Sequence, residues 1–197
     1  MRLSDALSIA DLAAASRRRL PPGIHGYVSG GSEDLHTLRA NRTAYSRWHF
    51  RTRPLVDVSQ RSQAVDILGQ RYASPVGIAP MGVSGLCCFD GDVALARAAA
   101  QAGVPSILSA ASTTPLERVM REAPGTWYQA YLPAQEDVIA PLLARLSAAG
   151  VQVLVITVDV QIASVREAEL RNGFSVPLRF TPRLVIGGLM RPRWTVW

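Results

Sequence analysis

Val153-Leu154-Val155-Ile156-Thr157-Val158-Asp159 starts as an unbroken apolar run and closes on a hydroxyl and a carboxylate. Three earlier stretches are built the same way: Pro75-Val76-Gly77-Ile78-Ala79-Pro80, followed by Met81-Gly82; Val104-Pro105-Ser106-Ile107-Leu108-Ser109; and Trp127-Tyr128-Gln129-Ala130-Tyr131. Continuous rather than alternating hydrophobicity predicts strands buried on both faces, and therefore a parallel sheet. Between the runs lie helical stretches with start and stop signals. These are Asp92 to Ala102 ended by Gly103, Pro115 to Glu122 with Thr114 at the cap position, and Glu136 to Ala149 ended by Gly150. Pro141 sits inside the third and is expected to kink it.

Strand and helix recur every ~20 to 30 residues, the length of one βα unit. Such a chain is either a doubly wound open sheet or part of a (β/α) barrel. No Gly-x-Gly-x-x-Gly follows the first run, so the dinucleotide fingerprint of the open class is missing and the barrel is favoured. The polar residues that close each run would then share the rim on which barrel active sites are built. About four βα units fit, where a closed barrel takes about eight. The expected fold class is α/β, the N-terminal part of a TIM (β/α)8 barrel preceded by a helical extension. Residues 1–69 read as the helical extension and a lid region, 70–169 as the first half of the barrel, and 170–197 as a long connecting loop that stops without a domain-closing element. Within the extension, Ser8-Ile9-Ala10-Asp11 has capping-box spacing in a helix drawn over Ser4 to Arg19 and stopped by Pro21-Pro22. A second helical stretch runs from Asp34 to Tyr45 after the Gly30-Gly31 turn.

The composition narrows the chemistry. With 48% hydrophobic and 18% charged residues, the 197-residue chain is neither disordered nor a disulfide scaffold. No apolar run reaches the ~18 residues of a membrane helix, and Met1-Arg2-Leu3-Ser4-Asp5 does not open a secretory signal, so a cytoplasmic location is expected. Adjacent Cys87 and Cys88 read as small apolar loop residues. The net charge of +6 comes from Arg alone, for the sequence contains no Lys. A Schiff-base lysine or a P-loop lysine is therefore excluded from these residues. The Arg residues are scattered, with one cluster at Arg17-Arg18-Arg19 and no interleaved aromatics, so nucleic-acid binding rests on net charge alone and is not expected. His25, His36 and His49 lack paired ligand spacing, and no metal site is expected.

A set of ordered motifs makes the reading specific. Leu20-Pro21, Tyr27-Val28-Ser29-Gly30-Gly31-Ser32-Glu33-Asp34, Asn41-Arg42, Phe50-Arg51-Thr52-Arg53, Leu68-Gly69, Ile78-Ala79-Pro80, Leu108-Ser109, Trp127-Tyr128-Gln129-Ala130-Tyr131 and Thr157-Val158-Asp159 resemble, in order and spacing, the FMN-dependent α-hydroxy acid dehydrogenase and oxidase family. Leu55-Val56-Asp57-Val58-Ser59, Arg166-Glu167, Asn172-Gly173-Phe174 and Pro192-Arg193-Trp194 are most similar to its mandelate and L-lactate dehydrogenase branch. The resemblance spans essentially the whole chain but matches only the N-terminal half of a family member.

The resemblance implies FMN as cofactor and a small L-2-hydroxy acid as substrate. By descent, Tyr27 and Tyr131 match tyrosines at the substrate, and a phenol donates to an anion without adding charge. Arg166 matches an arginine that favours the anionic acid. Asp159 matches the aspartate that orients a catalytic histidine, the third-group role of triads. Pro80, Met81 and Gly82 match the stretch whose backbone meets the flavin, with Met81 in place of the usual Thr. Ser109, Gln129 and Thr157 match the groups that satisfy the polar edge of the ring. Taken without the family, these three read as buried polar groups bonded to neighbouring backbone. The loop Val160-Gln161-Ile162-Ala163-Ser164 lacks the family's Gly, which alters the expected geometry there.

The family's lysine near flavin N1, its general-base histidine, a second arginine and its phosphate-binding glycines match nothing in these residues. The 197 residues alone are therefore expected to bind flavin weakly and to turn over negligibly. The competing reading is a non-catalytic remnant or assembly fragment that pairs as a homo-oligomer or with a chain carrying the other half. Residues 182–197 mix apolar side chains with Arg and Trp, which suits peripheral contact at the inner face of a membrane and equally an ordinary loop.

Overall fold

The computed structural model describes residues 3–159, 162 and 164–196. In chain order it contains α1 (Ile9–Arg19), α2 (Pro22–Ser29), α3 (His36–Thr43), β1 (Val65–Ile67), β2 (Gln70–Tyr72), α4 (Gly91–Ala102), β3 (Ile107–Ser109), α5 (Leu116–Glu122), β4 (Trp127–Ala130), α6 (Glu136–Ala148), β5 (Leu154–Ile156), α7 (Glu167–Asn172), α8 (Pro182–Leu189) and α9 (Pro192–Thr195). Contacts divide the chain into two units, Met1–Arg53 with Ile162–Trp197, and Pro54–Gln161.

The second unit carries the βα repeat. Strands β3, β4 and β5 pair in parallel in that order, as continuous apolar runs predict. The register sets Leu108 beside Tyr128 and Tyr128 beside Leu154, a row that faces α4, α5 and α6. Val93, Ala96, Leu116, Val119, Met120, Ala123 and Leu146 close that core from the helix side. Because strand side chains alternate, the other face carries Ser109, Gln129 and Val155 in register. This is the βα order of a partial TIM barrel.

Several expectations are corrected. The run Pro75 to Pro80 forms no named strand, and pairs only through Ile78, whose N–H donates to the Pro105 carbonyl at 2.8 Å and whose carbonyl accepts from Ile107 N–H at 3.0 Å. Prolines at both ends of the run remove ladder donors and keep the pairing to a single bridge. Burial on both faces fails at the end of β5, where Ile156 is 49% exposed, and just beyond it, where Val158 is 77% exposed. Thr114 does not cap α5. Pro115 takes the cap position with no side-chain bond, and the Thr114 hydroxyl donates to Asp92 instead. Pro141 lies inside α6, as its place in the sequence pattern predicts.

Leu68 (φ 51°) and Gly69 (φ 79°) form the two-residue turn of a β1–β2 hairpin that the apolar pattern does not announce. Three residues per strand and an Asp66–Arg71 ion pair across it leave no hydrophobic run to detect.

In the first unit, α1 begins at Ile9 rather than Ser4. Ser8 caps it, accepting from Asp11 N–H, and the Asp11 carboxylate answers with a bond from Ser8 N–H, the reciprocal capping box. The stretch after residue 170 is not an open loop. Thr181 caps α8 through the Leu184 N–H, Pro182 occupies the first helical position, and α9 follows. Ile24, Phe174 and Leu184 are buried in this unit.

Candidate functional site

Three polar side chains lie in a row at the C-terminal ends of β3, β4 and β5. Ser109 Oγ donates to Gln129 Oε1 at 3.2 Å, the Ala110 N–H donates to the same oxygen at 3.3 Å, and Gln129 Nε2 donates to Thr157 Oγ1 at 2.9 Å. The row exists because Ser109 and Gln129 are register partners, while Thr157 lies two residues beyond Val155, the partner of Gln129, on the same face. Gln129 is 1% exposed and Thr157 is half-buried.

A primary amide has two acceptor lone pairs and two N–H donors. Both lone pairs of Gln129 and one N–H are used within the row. Among the described residues, the second Nε2–H and the Thr157 hydroxyl hydrogen make no hydrogen bond. The row thus offers two donors from a desolvated edge to a ligand that carries acceptors.

Beside it, Pro80 and Gly82 are half-buried and Met81 is 44% exposed. The next residue, Val83, holds a left-handed backbone (φ 47°), a costly state for a β-branched residue, and its N–H donates to the Ala111 carbonyl at 2.9 Å. Tyr131, one residue past β4, is 51% exposed, and Asp159, three past β5, is exposed. Of the loop singled out after it, Val160, Gln161 and Ala163 lie outside the described residues.

The remaining two predicted site residues, Tyr27 and Arg166, come together in the first unit. Arg166 Cζ lies 5.1 Å from the centroid of the Tyr27 ring, and Arg166 Nη2 donates to the Tyr27 carbonyl at 2.7 Å. The other edge of the guanidinium forms an ion pair with Glu169, Nε to Oε1 at 2.5 Å, at too bent an angle to count as a hydrogen bond. Phe174 backs the Tyr27 ring at 5.0 Å between centroids. Sequence reasoning missed Glu169, although its three-residue spacing from Arg166 is the signal for a pair on one helical face. It also missed Asp92, whose three hydroxyl partners come from loops.

The chain matches the family model for FMN-dependent dehydrogenase over residues 16–196. It is 36% identical over 190 residues to (S)-mandelate dehydrogenase of Pseudomonas putida, covering 96% of this chain and 48% of that protein. It is 36% identical over 195 residues to a putative L-lactate dehydrogenase of Mycobacterium tuberculosis, covering 98% and 47%. Among solved structures it resembles the monotopic membrane protein (S)-mandelate dehydrogenase, with a TM-score of 0.89 at 34% identity over 97% of this chain and 51% of that one. It resembles mandelate oxidase with a TM-score of 0.81 at 35% identity, covering 91% and 51%. The chain spans about half the length of the curated relatives it matches. On the family match and the parallel βα units together, the chain belongs to the FMN-dependent dehydrogenase family.

Proposed function

We propose that these residues form part of the active site of an enzyme that oxidises an L-2-hydroxy acid of the lactate or mandelate type to the 2-oxo acid. The observation that carries this is the Ser109–Gln129–Thr157 row, whose two spare donors fit the acceptor edge of an isoalloxazine ring. When bound, FMN supplies a two-electron acceptor for the α-C–H of the substrate. Ser109, Gln129 and Thr157 would hold the polar edge of the ring, and the backbone of Pro80, Met81 and Gly82 would contact it. Tyr131 and Tyr27 donate phenolic hydrogen bonds to the substrate's carboxylate and hydroxyl. Arg166, fixed by the Tyr27 carbonyl and by Glu169, adds a charge-assisted donor to the carboxylate. Asp159 orients the base that takes the hydroxyl proton. None of His25, His36 and His49 matches that base, so it comes from outside these residues.

Peripheral membrane contact belongs to the same reading. Val185, Ile186, Leu189 and Met190 are exposed on or beside α8, with Arg191 and Arg193 next in sequence. No helix among the described residues is long and apolar enough to cross a membrane. Exposed Ile156 at the end of β5 and Val158 just past it favour a second reading, in which further βα units or a partner chain cover that strand.

The test is anaerobic addition of L-mandelate or L-lactate to the FMN-loaded chain, followed through the flavin absorbance. The expected result is slow bleaching by the L acid and none by the D enantiomer, with the rate held ~10²- to 10⁴-fold down for want of a positioned base. Bound FMN that neither acid reduces contradicts hydroxy-acid oxidation.

A further inference from the structure

A carboxylate unused so far lies beneath the rim. Asp92, the second residue of the 12-residue helix α4, is 6% exposed. Its Oδ1 accepts from Ser84 Oγ at 2.5 Å, and its Oδ2 accepts from Ser112 Oγ at 2.8 Å and Thr114 Oγ1 at 2.9 Å. A buried carboxylate is costly without such donors, and the start of a helix favours it further.

The three hydroxyls belong to two loops. Ser84 follows directly on Met81, Gly82 and the strained Val83. Ser112 and Thr114 lie three and five residues beyond Ser109. The Ser112 N–H donates to the Ser109 carbonyl at 3.0 Å, and the Ala111 N–H donates to Ser109 Oγ at 3.1 Å. Thr114 N–H donates to Ser112 Oγ at 3.0 Å, and Val83 N–H reaches across to the Ala111 carbonyl. Among the described residues, Asp92 is therefore the one side chain bonded to both the loop that follows residues 80–82 and the loop that follows Ser109.

We propose that Asp92 is a positioning residue that clamps these two loops in the geometry from which residues 80–82, Ser109 and Ala110 present their groups to the flavin ring. The inference rests on the reading of Ser109, Gln129 and Thr157 as a flavin edge. Asp92 itself acts through Ser84, Ser112 and Thr114.

The test uses the full chain as wild type, Asp92→Ala and Asp92→Asn, with two readouts: amide hydrogen exchange and FMN affinity by fluorescence quenching. In Asp92→Ala, the amides of Val83 and Thr114 exchange at least ~10-fold faster while those of Tyr128 and Thr157 in the ladder keep their protection, and FMN affinity falls ~10-fold or more. Asp92→Asn, whose amide oxygen still accepts, recovers most of both. Ser112→Ala, which deletes one donor, carries the same test with a smaller shift where Asp92→Ala fails to fold. Loss of protection spread evenly over the ladder, unchanged loop exchange, or loosened loops with unchanged FMN affinity would each overturn the positioning role. A wild-type chain that takes up no FMN overturns the flavin reading itself, and exchange at Val83 and Thr114 then still decides whether Asp92 clamps the loops.

Discussion

Replacing Gln129 by methionine keeps the side chain's length and removes its amide at a position that is 1% exposed. The change deletes acceptors for Ser109 Oγ–H and Ala110 N–H and the donor to Thr157 Oγ1. Two of the three bonds are long, at 3.2 and 3.3 Å, so each contributes toward the low end of the ~0.5 to 1.5 kcal/mol that a net hydrogen bond is worth. The Ser109 hydroxyl and the Ala110 amide are then left under-satisfied, which adds to the cost. The expected destabilisation is ~2 to 4 kcal/mol. At ~2 to 4 °C per kcal/mol for a chain of this size, the melting temperature falls by ~4 to 16 °C. Urea unfolding followed by circular dichroism measures the free-energy loss, and a thermal scan the shift in melting temperature. Thr157→Val serves as the partner variant, and the double mutant should be less destabilised than the sum by ~0.5 kcal/mol or more, because both changes remove one bond. A loss under ~0.5 kcal/mol with additive variants would mean the row contributes nothing as a network, and the reasoning fails.

Further outcomes follow from other positions. Two hydrogen bonds from Arg145, at 2.7 and 2.9 Å, hold the Glu117 carboxyl down from 4.5 to about 2, so the folded chain takes up this proton later than the unfolded one. Its contribution is present above the unfolded value and is lost as pH falls from about 4.5 towards 2, and Glu117→Gln should flatten acid unfolding in that window. Burial, with Arg17 second, pushes the His25 imidazole below 6.5, so stability also drops as pH falls through 6.5, and His25→Asn should remove that step from a pH series of melting temperatures. Burial pushes the Cys87 thiol up and Cys88 is exposed, so iodoacetamide followed by peptide mass spectrometry should find Cys88 modified first. Gly103 ends α4 at φ 65° with Ala73 Cβ 3.3 Å from where its own Cβ would stand, so Gly103→Ala should cost ~1 to 2 kcal/mol in urea unfolding.

Where an element owes its form to a local pattern, the sequence predicts it. Apolar runs closing on Ser109, Gln129 and Thr157 anticipate parallel strands whose polar ends meet, and Ser8 with Asp11 anticipates the start of α1. Partners set by loop geometry are a different matter. Thr114 has the chemistry of a cap, yet the buried carboxylate of Asp92, twenty-two residues away in sequence, takes its hydroxyl, and Pro115 stands at the cap position of α5. Asp92 looks like any acidic residue in the first turn of a helix until the folded chain brings Ser84, Ser112 and Thr114 to it. The β1–β2 hairpin escapes because its strands are too short to show a period, although Leu68-Gly69 marks the turn. Thr181-Pro182 carries the cap and first-turn proline of a helix start, and α8 begins there.

FMN titration of the wild-type chain against Gln129→Met, under conditions where both are folded, decides whether the Ser109–Gln129–Thr157 row receives a flavin ring. The expected result is weak but saturable one-to-one quenching of flavin fluorescence by the wild type and at least a ~10-fold lower affinity in the variant, the equivalent of ~1.4 kcal/mol. No saturable binding, or equal affinity in the two proteins, would contradict it.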